Sequence, residues 1–340
     1  MALVASCALV AGCGGGERSE TPPTATTATQ ATGLRVVYLV GYRSAASGAP
    51  IFHLMSVGSS GSQRAEIAQF GAVNQTFSID PNGRRAALVT DITDTPELLI
   101  VDLASGQTTR ATDSQGGDDS VVLGPQDMIA YCDSQGRFRA GSLSDVTATA
   151  VIETHPRAGA CPHADWRIDS TLAFLAESPL SVRSPRILAE ALYIRDSNGT
   201  MSQIDLPGVY GFGQVDWSAD GTRVALAAGD SIVVVDVASG QVQPFGRGTD
   251  PAYAPDEPRR LAARRWDEQK RSVDVWQDDA VVASLPGDYA GFAWCPGGNE
   301  IAATSPDAVS LWNWRTGEKR ILARANLANY QFIQTSVTCF

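Results

Sequence analysis

Residues 215–245, "VDWSADGTRVALAAGDSIVVVDVASGQVQPF", alternate apolar runs with three tight-turn signals. Ala219-Asp220-Gly221 leads into "TRVALAA", Gly229-Asp230 into "SIVVVDV", and Ala238-Ser239-Gly240 into "QVQPF". Short Val-rich runs bounded by Asp-Gly, Gly-Asp and Ser-Gly predict β-strands joined by hairpins. Four of them in succession make an antiparallel meander.

The pattern returns. Residues 77–112 show the same order, with Asp80-Pro81-Asn82-Gly83 as first turn and Ala104-Ser105-Gly106 as last. Residues 292–322 repeat it with Pro296-Gly297-Gly298 and Arg315-Thr316-Gly317. Weaker copies run over 120–152, 163–206 and 250–286. Six units spaced by roughly 40 residues match the period of propeller blades. A seventh is split between the chain ends. "LRVVYLVGY", "IFHLMSV" and "AEIAQF" lack a first strand, and the C-terminal "NYQFIQTSVTCF" is a strand without a blade. Placing that strand innermost closes a seven-bladed, all-β ring over 34–340 and removes exposed sheet edges. Six or eight blades, or a pair of β-sandwiches, are the competing architectures.

The repeat resembles the TolB-like and WD-repeat-like propellers, whose units read aromatic–x–SPDG, an apolar strand, then a strand ending in D-x-x-x-G. The matching residues are Trp217 to Gly221 with Asp236 to Gly240, and Ile79 to Gly83 with Asp102 to Gly106. The Gly-His and Trp-Asp pairs of true WD repeats are missing from these positions. The resemblance implies a propeller fold and leaves the function open.

Ahead of the ring, "MALVASCALVAGCGGG" is a short apolar run of small residues ending at Ala11-Gly12-Cys13. It resembles the bacterial lipoprotein lipobox, although no Lys or Arg precedes the run. That resemblance implies a signal peptide over 1–12 and a lipidated Cys13 as the membrane contact. Residues 13–33, rich in Gly, Thr, Ala and Pro, then read as a flexible linker unable to bury a core. The expected location is the bacterial cell envelope, outside the cytoplasm.

A net charge of -11 argues against nucleic-acid binding, which needs a basic surface. Four cysteines remain for an oxidising compartment: Cys132, Cys161, Cys295 and Cys339. Three connectivities are possible, and four buried thiols are the alternative. On the blade map, Cys132–Cys161 and Cys295–Cys339 each tie neighbouring blades. No cofactor or metal is expected: no CxxC, P-loop, GxGxxG or GxSxG occurs in a fitting context. His53 reads as a packed strand residue, and His155 and His163 are irregularly spaced for a metal pair.

Loop length separates the two ends of the ring. First-to-second and third-to-fourth turns are short. The long connections, 41–50, 111–120, 153–164, 176–190 and 264–272, are second-to-third turns or links between blades, all at the opposite end. Long loops on a rigid scaffold carry binding. The candidate binding face is therefore Arg43, Arg157, His163, Arg183, Arg186, Arg264, Arg265 and Trp266, with Trp266 as an anchor. A solvated mixed-charge rim is the plainer account, since acidic residues share these loops. The expected function is a non-enzymatic scaffold binding protein or glycan, as a monomer or as a subunit of an envelope complex. Alternatives are a lyase or glycosidase working in the central funnel, and a purely structural accessory subunit.

Overall fold

The computed structural model describes residues 33–43, 50–71, 73–90, 97–112, 121–133, 135–154, 163–177, 190–206, 213–266, 271–325 and 331–340. They form seven four-stranded antiparallel sheets. Blade 1 has the order β28-β1-β2-β3: the C-terminal strand Gln331–Cys339 lies innermost beside β1 (Arg35–Arg43). The register pairs Val36 with Cys339, Tyr38 with Val337 and Gly41 with Phe332. Blades 2 to 7 follow as consecutive meanders: β4–β7, β8–β11, β12–β15, β16–β19, β20–β23 and β24–β27. Their innermost strands are β4 (Val73–Ile79), β8 (Val121–Leu123), β12 (Ala164–Trp166), β16 (Val215–Trp217), β20 (Thr249–Ala254) and β24 (Gly291–Trp294). The chain is a seven-bladed β-propeller.

The core is divided rather than central. Each strand alternates its side chains between the two neighbouring blades, so one apolar cluster fills each of the seven interfaces. Between blades 4 and 5, for example, Leu175 and Leu192 pack against Trp217, Leu226 and Val235. Burial of this kind stabilises by about 25 cal/mol per Å2 of apolar surface, and it makes each blade depend on its neighbours.

The turn chemistry explains the repeat. Asp102 Oδ1 accepts the Ser105 N–H at 2.7 Å, Asp236 Oδ1 that of Ser239 at 2.9 Å, and Asn313 Oδ1 that of Thr316 at 3.1 Å. These side chains close the third-to-fourth turns. In the first turns glycine is demanded twice over. Gly83 and Gly221 have φ of 65° and 68°, and a Cβ would stand 2.2 Å from the Phe340 ring or 2.4 Å from Arg167.

Several expectations about the long connections change. β21 runs from Glu257 to Trp266 and pairs with β22 (Arg271–Gln277), in the register Arg264↔Val273 and Trp266↔Arg271. The connection there is 267–270, not 264–272, so Arg264, Arg265 and Trp266 are strand residues. Ladder pairing continued past the apolar stretch because antiparallel strands need only backbone partners, which the charged run supplies. Arg43 ends β1, paired with Pro50, which leaves 44–49 as the connection.

A disulfide joins Cys295, just after β24, to Cys339 in β28, with Cα atoms 4.8 Å apart. Cys132 is also disulfide-bonded. Cys161, Cys13, Arg157, Arg183 and Arg186 lie outside the described residues.

Candidate functional site

The innermost strands wall a cavity of about 720 Å3 at the centre of the ring. Register with the second strand of each blade places their residues in tiers. Nearest the short turns stand Trp166, Trp217, Tyr253 and Trp294. One residue earlier come Asp165, Asp216, Ala252 and Ala293, with Ser78 and Val122 in blades 2 and 3. Two residues before that, towards the long connections, are His163, Gln214 and Asp250, all on the cavity wall. Blades 4 to 6 thus make a polar wall, facing Phe77, Val121, Phe292 and Val337.

Polar groups of this wall fasten one blade to the next. Asp165 Oδ2 accepts the Trp217 backbone N–H at 2.9 Å, while its Oδ1 accepts that of Trp166 at 2.9 Å. Asp216 Oδ2 accepts the Tyr253 N–H at 2.6 Å. Ser78 Oγ, at the same place in blade 2, accepts the Leu123 N–H at 2.9 Å. The indoles work in the reverse direction. Trp166, Trp217 and Trp294 donate Nε1–H to the carbonyls of Val122, Asp165 and Ala252 in the preceding blade, at 3.3, 3.2 and 2.9 Å. A buried indole with its N–H satisfied supplies both apolar area and a directional tie.

Among the described residues neither Asp165 nor Asp216 has an ion pair. Protein packs around both, although each keeps partial access to the cavity. Burial pushes Asp165 up to about 6, outweighing the two backbone N–H groups that favour its charge. Asp216 is held well above the usual carboxylate range by burial and then by the charge of Asp165. His163 is open to water within the cavity but walled by protein beyond. That burial lowers its imidazole, and the charge of Asp250 opposes the shift. Asp250 is ion-paired with Arg264, which also donates Nη1–H to Ala290 O at 3.0 Å. Arg264 is therefore committed to the seam between blades 6 and 7, where it holds the connection that leads into β24.

The short-turn end is also committed to internal contacts. Arg167 donates Nη1–H to Gly221 O at 2.9 Å and lies over the Trp217 ring at 5.1 Å. Arg85 pairs with Asp127 at 2.9 Å, and the guanidinium of Arg260 lies 4.7 Å from the Trp314 ring. At the opposite end, Trp266 is 59% exposed, with the Arg271 guanidinium 4.4 Å from its ring. Arg265 approaches Asp274 at 3.7 Å. Of the residues expected at the binding face, His163 reaches the cavity and Trp266 presents an open aromatic surface. Arg264 and Arg265 turn to carboxylates of their own blade.

Sequence reading missed Asp165, Asp216, Gln214 and Asp250 as cavity residues. The available signal was Asp-Trp, which occurs at 165–166 and 216–217 at the same place in successive repeats. Among the described residues there is no group of three or more His, Cys, Asp or Glu able to hold a metal ion.

The chain matches no family model and no curated protein sequence. Solved structures resemble it. TolB from Acinetobacter baumannii is 12% identical with a TM-score of 0.53, over 89% of this chain and 65% of that one. An oligogalacturonate lyase from Vibrio parahaemolyticus is 11% identical with a TM-score of 0.55, over 86% of both chains. The Pyrococcus horikoshii acylaminoacyl peptidase is 14% identical with a TM-score of 0.60, over 87% of this chain and 51% of that one. The chain spans just under two thirds of that TolB and about half of the peptidase. The fold is that of TolB-like and WD-like propellers, and these three proteins put it to different uses.

Proposed function

We propose that this protein is a binding propeller of the cell envelope, held to a membrane by lipid on Cys13, which engages a protein or glycan at its long-connection end without catalysis. The observation that carries the reading is the contrast between the two ends. The short-turn end is fastened by Arg167, Arg85 and Arg260 to neighbouring blades. The other end gathers the long connections, the cavity tier of His163, Gln214 and Asp250, and the exposed Trp266. Residues that dominate binding energy at interfaces are enriched in Trp, Tyr and Arg. A second reading, a propeller enzyme working in the cavity, draws on His163, Asp216 and Asp250 sharing one wall. The hydrogen bond by which Asp216 holds the Tyr253 N–H weighs against it.

Photo-crosslinkers placed at Trp266 and at Thr316, on opposite ends, test this reading in full-length protein on envelope membranes. Crosslinks to protein or glycan are expected from position 266 and not from 316. Equal yield from both, or yield from 316 alone, overturns the assignment of the face. Cys13→Ser is expected to abolish labelling by a fatty-acid analogue and to release the protein from membranes; retention of both overturns the anchor.

A further inference from the structure

We infer that Asp165 and Asp216 form a proton-dependent clasp joining blades 4, 5 and 6 at the cavity wall, tightest in acid and loosened as the pair ionises. The inference stands on placement. The two side chains occupy equivalent positions on adjacent innermost strands, and each reaches forward to a backbone N–H of the next blade. Asp165 accepts from Trp217, the residue that directly follows Asp216, so the carboxylates are neighbours across one seam.

Surrounding groups do not neutralise them. β13, β17 and β8 present Ala173, Ala225 and Val122 at this level. Among the described residues the titratable neighbours are His163, just before β12, and Asp250 on β20, the latter engaged by Arg264 on β21. Tyr253, whose N–H Asp216 holds, has a phenol that burial raises; the charge of Arg223 acts against that shift, and those of Asp216 and Asp220 add to it. Two neighbouring carboxylates without a cation beside them lose their protons in two steps, the second at a raised pH.

The sign follows from linkage. A group raised in the folded state contributes stability that is complete below its unfolded value and fades as pH rises through its folded one. For Asp165 that window opens near 3.8 and extends through about 6, and Asp216, also raised, acts in the same direction. The seam therefore weakens from mildly acidic to alkaline pH, the reverse of a salt-bridged carboxylate. Asp133 supplies the contrast within the molecule. Burial raises it, but hydrogen bonds from Arg137 and Arg139 prevail and bring it down to about 2, so its contribution is complete above 3.8 and is lost as pH falls through about 2.

Hydrogen exchange at the Trp217 and Tyr253 amides, corrected for chemical exchange, reads the clasp in the intact chain. Protection is expected to fall about tenfold between pH 5 and pH 8, the effect of one proton bound per pH unit over part of that window. Asp165→Asn keeps an acceptor oxygen for Trp217 while removing both the titrating group and the charge that opposes Asp216, and is expected to flatten that fall. Unchanged wild-type protection, or an equal fall in Asp165→Asn, overturns the clasp. Should the variant not fold, carbon-13 titration of wild-type aspartates decides. One carboxyl with a midpoint near 6 and a second that is also raised are expected; ordinary midpoints for every carboxyl overturn the inference.

Discussion

The seam that closes the ring and the seams between blades 4, 5 and 6 solve one mechanical problem with different chemistry. At closure, the last strand of the chain must stay beside β1, and a chain terminus frays unless tied down. Here the tie is covalent: Cys339 is bonded to Cys295 of blade 7, and the ladder from Val36↔Cys339 to Tyr42↔Gln331 joins blade 1 to itself. Phe340 then covers Gly83 of blade 2, so the terminal strand touches three blades. Between blades 4, 5 and 6 the chain runs on continuously, and carboxylate-to-amide hydrogen bonds suffice. A disulfide does not titrate. A carboxylate clasp does, and the difference makes one part of the ring indifferent to pH and another responsive to it.

The largest effect separating the two is expected at closure. By the chain-entropy estimate, a disulfide spanning a sequence separation of 44 stabilises by about 4 kcal/mol. Cys339→Ser is expected to cost that order of stability in denaturant unfolding followed by tryptophan fluorescence, equally at pH 5 and pH 8. Stopping the chain before Gln331 removes the whole innermost strand of blade 1 and is expected to abolish cooperative unfolding. A truncated chain that still unfolds in one sharp transition would refute the seven-bladed closure.

Next in size comes Asp165→Ala. It leaves the N–H groups of Trp166 and Trp217 without their acceptor, at about 1–3 kcal/mol for each one left unsatisfied. Because the same change removes a charge that Asp216 opposes, the loss is expected to be greater at pH 5 than at pH 8. Identical losses at the two pH values would reduce the clasp to simple hydrogen bonding. The closing seam supplies the control, since its response to Cys339→Ser carries no pH term.

The architecture was legible because turn chemistry is local. Asp102, Asp236 and Asn313 each cap a turn two or three residues ahead, so the signal and its cause sit in one short window. The split blade followed from counting strands, with Arg35–Arg43 lacking an inner partner and Gln331–Cys339 lacking a blade. The cavity wall was not legible, because the partner of Asp165 is 52 residues away and that of Asp216 is 37 away. Nothing near either residue marks it as an acceptor for a distant amide. Arg264 misled for the opposite reason. Its charge suggested an open rim, whereas Asp250, on the paired strand β20, draws it inward.

The smallest effect isolates the hydrogen bond from the charge. Ser78 holds the Leu123 N–H at 2.9 Å in the seam between blades 2 and 3, the job that Asp165 and Asp216 do further round the ring. A hydroxyl accepts without carrying charge, so this seam has the geometry of the clasp and none of its electrostatics. Ser78→Ala is expected to cost about 1 kcal/mol, the net worth of one neutral hydrogen bond. The loss is expected to be the same at pH 5 and pH 8 in chemical denaturation. A pH-dependent loss at Ser78 would mean that the slope attributed to Asp165 and Asp216 arises elsewhere in the ring. A constant loss there, beside a varying one at Asp165, would assign the slope to the two carboxylates.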